Sequence, residues 1–168
     1  MMPARLLARP LTGPGFASFG DVIELPPGAG VSVNQGRGLR FDMAAGLAGL
    51  EGDAPLRLAL YQVTPSALPL AVALLERHPL SAQIFLPMLC DSYALVVAPP
   101  DGDGAPDIAK ARAFIARGDQ GVLYRRDVWH HPIVALKATA QFAMLIRENG
   151  EPDNCIEFQL PHPLLVAE

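Results

Sequence analysis

Cysteine is scarce in this chain: Cys90 and Cys155 are the only two among 168 residues. They lack the paired spacing of a metal finger, so a thiolate metal centre is excluded and two reduced thiols are expected. Charge is scarce too. Charged residues make up 18% of the chain and the formal net charge is −4. That sign gives no footprint for nucleic acid, although a local arginine or histidine cluster can still hold a small anion. No apolar run approaches the length of a membrane span. The opening residues do not form a signal peptide, because Arg9, Pro10 and Gly13 interrupt the apolar stretch. The expectations are no nucleic-acid partner, no membrane and a cytoplasmic location. A dinucleotide motif, internal repeats and a domain linker are also missing.

What is present in quantity is proline, at 17 residues, and glycine, at 15, in a chain that is 51% apolar. That mixture predicts many short elements joined by tight turns around one sizeable core, a single domain over residues 1–168. Strand patterns follow one another over residues 57–64, 70–78, 83–88, 93–98, 121–136, 141–147 and 155–160. A bend is expected near Arg126-Asp127. A first extended piece covers residues 4–11, one helical turn covers 16–19, and residues 42–50 read as a loop or short helical piece. One longer helix is predicted from Pro106 to Gly118, with Ile108, Ala111, Phe114 and Ile115 as its apolar face. Strands in this density, with one or two short helices, predict a mostly β fold. A cupin-like double-stranded β-helix, or jelly-roll, barrel fits best.

Two polar segments stand out against this background. In Glu76-Arg77-His78-Pro79, strand geometry puts Glu76 and His78 on one face and Arg77 on the other. A carboxylate and an imidazole together bind a divalent metal or exchange protons. A solvated strand end is the plainer reading. In Tyr124-Arg125-Arg126-Asp127-Val128-Trp129-His130-His131-Pro132, the adjacent histidines cannot share a strand face. Trp129 and His131 go one way, Val128 and His130 the other, and which histidine faces inward stays open. The two segments share the spacing of cupin motifs. Glu76-x-His78, four residues, then Gln83 has the first spacing, with Glu and Gln in place of His and Glu. Asp127-x-x-His130 has the second, with Asp in a glycine position. Glu76, His78, Gln83 and His130 are therefore the candidate metal ligands.

Asn34-Gln35-Gly36 with Arg40-Phe41 offers an arginine near a glycine-flanked loop, suited to clamping a carboxylate, or merely an exposed cation. Asn154-Cys155-Ile156-Glu157 has no base beside its thiol, so Cys155 is expected to be packed and not a nucleophile.

In combination these residues resemble the bacterial ureidoglycolate lyases, formerly called hydrolases, of allantoin and purine catabolism. The resemblance is carried by Phe16 with Phe19-Gly20-Asp21-Val22-Ile23, Asn34-Gln35-Gly36 with Arg40-Phe41, and Glu76-Arg77-His78-Pro79 with Ser81, Gln83, Phe85 and Pro87. It continues through Val96-Val97-Ala98-Pro99, Gln120-Gly121-Val122 with Tyr124, Trp129-His130-His131-Pro132, and Asn154-Cys155 with Glu157. Asp127 departs from the family's usual glycine, and Ile156 from its usual glutamate.

The resemblance implies a cupin-like homodimer that converts (S)-ureidoglycolate to glyoxylate and urea. It also implies a divalent metal, with nickel the family's ion. On that reading Glu76, His78, His130 and Arg40 are catalytic. Arg40 holds the substrate carboxylate, and Asn34, Gln120, Tyr124 and His131 help orient the substrate. The competing readings are another cupin enzyme acting on a small hydroxy or keto acid, and a non-catalytic cupin that binds a small acid.

Overall fold

The computed structural model describes residues 5–43 and 49–168. Its strands in chain order are β1 (Arg5–Leu7), β2 (Arg9–Pro10), β3 (Gly20–Ile23), β4 (Val31–Val33), β5 (Gly38–Arg40), β6 (Leu56–Val63), β7 (Pro65–Ser66) and β8 (Leu70–Arg77). There follow β9 (Gln83–Leu89), β10 (Ser92–Ala98), β11 (Arg112–Arg117), β12 (Gly121–Tyr124), β13 (Trp129–His130), β14 (Val134–Leu136), β15 (Ala140–Arg147) and β16 (Ile156–Ala167). One sheet has the order β1-β16-β8-β13-β10-β11-β2, with β14 and β7 beside β10. A second has the order β3-β12-β9-β15-β6, and β4-β5 is a separate hairpin. From β8 onward the chain passes repeatedly from one sheet to the other. That wrap is the jelly roll the strand pattern predicts.

The two sheets meet through residues of alternate parity. Tyr93, Leu95, Val97 and Phe114 of the first pack on Phe85, Val122, Phe142 and Met144 of the second. Each large side chain buried this way contributes about 1.5–3 kcal/mol. The N-terminal arm closes the first sheet. β1 pairs in parallel with β16, and β2 in parallel with β11, so one arm bridges both edges. Leu6 and Ala8 of the arm turn toward Val72, Val96, Trp129 and Leu164, while Arg5, Leu7 and Arg9 between them face outward.

The predicted helix over 106–118 is absent. Ile108–Lys110 forms a single 3-10 turn and Arg112–Arg117 is strand. Its apolar residues fit both periods, but β11 has a partner in β10 at six successive register positions. It is also covered on both faces, since neighbours Ala113 and Phe114 are both buried, in different clusters. A strand buried on two sides shows no clean alternation, which is why periodicity misreads it. The early helical turn lies at Gly13–Phe16, ahead of its predicted place, where the Thr12 hydroxyl accepts a hydrogen bond from the Gly15 N–H. The final strand runs to Ala167 across a register shift between Gln159 and Leu164. The expected loop over 42–50 lies largely outside the described residues. Among the described residues no helix is long and apolar enough to cross a membrane.

Candidate active site

β13 is only two residues long, yet it carries the junction. His130 stands opposite Glu76 of β8 on one side and opposite Val97 of β10 on the other. Cross-strand partners share a face, and Val97 points into the core between the sheets. Glu76 and His130 therefore point there too. His78 follows β8 at the next same-side position. The result is one convergence point: His130 Nε2 lies 3.6 Å and His78 Nε2 3.9 Å from the same oxygen, Glu76 Oε1. The side chains of Glu76, His78 and His130 are 19%, 11% and 2% exposed.

Both imidazoles are oriented by backbone carbonyls. His78 Nδ1 donates to the Asn154 carbonyl and His130 Nδ1 to the Val128 carbonyl, each at 2.9 Å. That assigns the ring proton to Nδ1 and turns the Nε2 lone pair toward Glu76. Both Nε2 atoms are buried and, among the described residues, have no hydrogen-bond partner, which is also true of Gln83 Oε1 and the Tyr124 hydroxyl. Burial lowers the pKa of His78, and the neighbouring His130 lowers it further. Burial pushes the Glu76 carboxyl up, but the electrostatic influence of the adjacent His130 and His78 rings outweighs it and holds the acid below its ordinary value. Glu76 is thus an ionised carboxylate facing an uncharged His78 ring.

Tyr124 and Gln83 are register partners on β12 and β9, in the opposite sheet. Tyr124 stacks on His130, with centroids 4.2 Å apart and rings 10° from parallel. Burial, the largest cause, holds its hydroxyl protonated well above the usual range. Of the adjacent histidines, His130 meets Glu76, while His131 donates from Nδ1 to the Leu74 carbonyl at 3.0 Å. Burial lowers the pKa of His131 as well. Trp129 takes the far side of the strand, under the Arg77 guanidinium at 4.8 Å.

Asp127 explains its own departure from glycine. Its φ is +68°, in the left-handed region that glycine enters freely and aspartate tolerates. The turn it makes is held at both ends. Its N–H donates to the His78 carbonyl at 3.1 Å, and its carboxylate pairs with Arg77 at 3.1 Å. The side chain thus ties together the two segments that supply the site.

Gln120, Arg40 and Asn34 lie apart from the triad, and the expectation for Cys155 needs correction. Gln120 is spent on structure. Its amide donates to Leu11 O and Glu24 Oε2, its side-chain oxygen accepts from the Arg117 N–H, and its carbonyl accepts from the Tyr93 hydroxyl. Arg40 and Asn34 lie on the exposed β4-β5 hairpin. Arg40 pairs there with Asp42 at 3.1 Å and makes no bond to the triad. Cys155 is exposed, not packed, with its sulfur 3.8 Å from Glu76 Oε2. Partial desolvation of the thiol, then the Glu76 charge, pushes its pKa up to about 11, so it stays protonated and is no nucleophile. The residue that sequence reasoning missed is Asn154. It is buried, tied through its side chain to Asn149 and Glu151, and its carbonyl orients His78. The Asn154-Cys155 motif was the available signal.

The ligand atoms of Glu76, His78 and His130 all lie within 4.8 Å of one another. Two imidazole lone pairs facing a carboxylate are acceptors without a donor, an arrangement that a divalent cation satisfies. Nitrogen and carboxylate donors of this kind suit zinc, nickel or iron. A jelly-roll barrel with such a triad between its sheets is a cupin-type fold with a metal-compatible centre.

Known proteins narrow this class. The family profile described as Ureidoglycolate lyase matches residues 3–167. The Ureidoglycolate lyase of Pseudomonas syringae pv. syringae is 37% identical over 95% of this chain and 98% of its own. Those of Burkholderia mallei and Rhizobium etli are 41% and 40% identical, over 97% and 99% of this chain and 94% and 98% of theirs. A solved 3,4-ketoisomerase from Helicobacter canadensis is 13% identical, covers 81% of this chain and 88% of its own, and has a TM-score of 0.46. The chain belongs to the ureidoglycolate lyase family and is an enzyme of that lyase class.

Proposed function

We propose that the chain cleaves (S)-ureidoglycolate to glyoxylate and urea between its two sheets, as one cytoplasmic cupin-like domain over residues 1–168. The observation that carries the site assignment is the convergence of His78 and His130 on one oxygen of Glu76.

The reaction needs no external nucleophile and no hydride. The substrate's reacting carbon carries a hydroxyl and a urea nitrogen side by side. A base takes the hydroxyl proton, the oxygen lone pair closes the carbonyl, and the C–N bond breaks with its electron pair on nitrogen. That nitrogen then needs a proton. Because the two groups share a carbon, one carboxylate can serve both steps. Glu76 suits this task. Its Oε1 faces the imidazoles, while Oε2, beside Cys155, is left to take the hydroxyl proton and return it to nitrogen.

Glu76, His78 and His130, with Gln83 as a fourth donor, would hold a divalent metal such as nickel. When bound, it would supply Lewis-acid polarisation of the substrate hydroxyl. Tyr124 serves as a donor for the substrate's polar ends, since its hydroxyl has no partner among the described residues. His131 supports the pocket wall through its bond to Leu74. Arg40 is our candidate for the substrate carboxylate, with Asn34 beside it. Its exposed pair with Asp42 is worth at most about 1 kcal/mol and is easily exchanged for a substrate. We also propose a homodimer. The free edge of β6 presents Leu58 and Leu60 at 68% and 71% exposure, an apolar strip suited to a second copy.

The direct test is urea and glyoxylate release from (S)-ureidoglycolate by the purified protein, with and without chelator. No turnover under either condition would overturn the assignment.

A further inference from the structure

The arm that closes the first sheet creates a second concave surface, lined by other residues than the triad. β1, β2 and β11 border a groove of about 900 Å³ whose lining contains Arg5, Arg9, Lys110 and Arg112 and no carboxylate. In a chain with net charge −4, this gathers four of 13 lysines and arginines in one place. Lys110 is paired with Asp107 at 2.8 Å. Among the described residues, Arg5, Arg9 and Arg112 have no ion pair.

The strand period aligns them. Arg5, Leu7 and Arg9 are the outward residues of the arm, and Leu6 and Ala8 the inward ones. Arg9 stands opposite Phe114 in the parallel β2-β11 pair. Arg112, two residues back along β11, has the same parity and falls between Arg5 and Arg9. Strand spacings place it about 8 Å from Arg9 along the diagonal, while Arg5 and Arg9 are about 13 Å apart. The guanidinium of Arg112 lies over the Phe19 ring at 5.9 Å, which limits where it can point. Three like charges held on one concave face repel one another unless an anion joins them.

We infer that this groove is a binding site for a small phosphate-bearing polyanion, distinct from the Glu76 pocket. Arginine forks match phosphate oxygens in pairs. A row of three suits a ligand with more than one phosphate better than a single anion. The apolar floor of Leu7, Pro10 and Phe19 can carry an uncharged part of the same molecule.

Inorganic pyrophosphate is the probe. Calorimetric titration of the full-length protein at constant ionic strength should show saturable binding, tighter than for orthophosphate, citrate or sulfate. Arg9→Gln and Arg112→Gln should each weaken it about tenfold, the loss expected for one charge-assisted contact. The exposed Arg126→Glu, outside the groove lining, should leave it unchanged. Arg5→Gln, in the exposed arm, is the backup if Arg112→Gln lowers the melting temperature. Lack of pyrophosphate binding at millimolar concentration would sink the inference. So would equal weakening by Arg126→Glu, which would mark a general charge effect, or equal affinity for citrate, which would remove the preference for phosphate. The readout is binding, so it stands apart from the lyase assay.

Discussion

His130 Nε2 lies 3.6 Å from Glu76 Oε1, across the one register pair that joins β13 to β8. The two residues are 54 positions apart in the chain. Their meeting depends on the Asp127 turn, whose N–H caps the His78 carbonyl and whose carboxylate holds Arg77.

Removing either imidazole should abolish chemistry before it abolishes the fold. His78→Ala and His130→Ala are expected to lower kcat for urea release by roughly 10²-fold or more. Glu76→Gln should do the same and also lower bound metal, read by elemental analysis after nickel loading. His130→Ala should in addition lower Tm, because it unstacks the buried Tyr124. A His130→Ala protein with full activity and full metal content would end the role given to it.

Acidity should destabilise the protein early. His78 and His131 both have lowered pKa values, caused first by burial. The unfolded chain therefore binds protons below about pH 6.5 that the native fold refuses. Stability is complete above that value and declines as pH falls through it toward the lower native values. The depressed Glu76 adds a further loss only below about pH 4.5. Melting curves from about pH 8 to about pH 5 should show Tm falling from near 6.5. A flat Tm over that range would contradict the burial of these rings.

Arg40 and Gln120 should behave oppositely. Arg40 is exposed, so Arg40→Ala should keep Tm and raise KM about tenfold with a smaller effect on kcat. Gln120 is buried and fully bonded, so Gln120→Ala should cost about 2 kcal/mol of stability by removing the partners of the Arg117 N–H and the Leu11 carbonyl. Its KM should not move. A normal KM in Arg40→Ala would pass the carboxylate to another residue.

Asp127→Gly trades one term against another. It relieves the cost of a left-handed φ, about 1 kcal/mol, and loses the partly exposed pair with Arg77, worth a similar amount. Stability should change by less than about 1 kcal/mol by urea denaturation. Loss of several kcal/mol would mean that the Arg77 pair matters more than its exposure allows.

The β6 edge is testable by mass in solution. Light scattering after gel filtration should give twice the chain mass of 17.9 kDa. Leu58→Asp with Leu60→Asp should shift the species toward that mass itself, with the fold retained. A wild-type monomer at micromolar concentration would refute the dimer.

Much of this was readable in the chain. Short apolar runs between prolines and glycines specify strands because each local choice of turn and alternation agrees with a β wrap. The parity of Glu76, Arg77 and His78, and of Trp129 and His130, follows from backbone pleat alone, and it already separates the pocket from the Arg77-Trp129 contact. Other features are set by partners distant in sequence. β11 is strand because β10 supplies its hydrogen bonds, although its composition allowed a helix. His130 prevails over His131 because Glu76 and Val97 flank it in the sheet, while Leu74 takes the Nδ1 proton of His131. In the sequence Gln120 reads as a substrate group because buried amides that hold loops and those that hold ligands have the same chemistry. Only the placement of Leu11, Glu24 and Arg117 around it decides between them. The arm that closes the first sheet and aligns three arginines was invisible for the same reason: its hydrogen bonds run to β16 and β11, and local sequence does not encode which edges a strand will bridge.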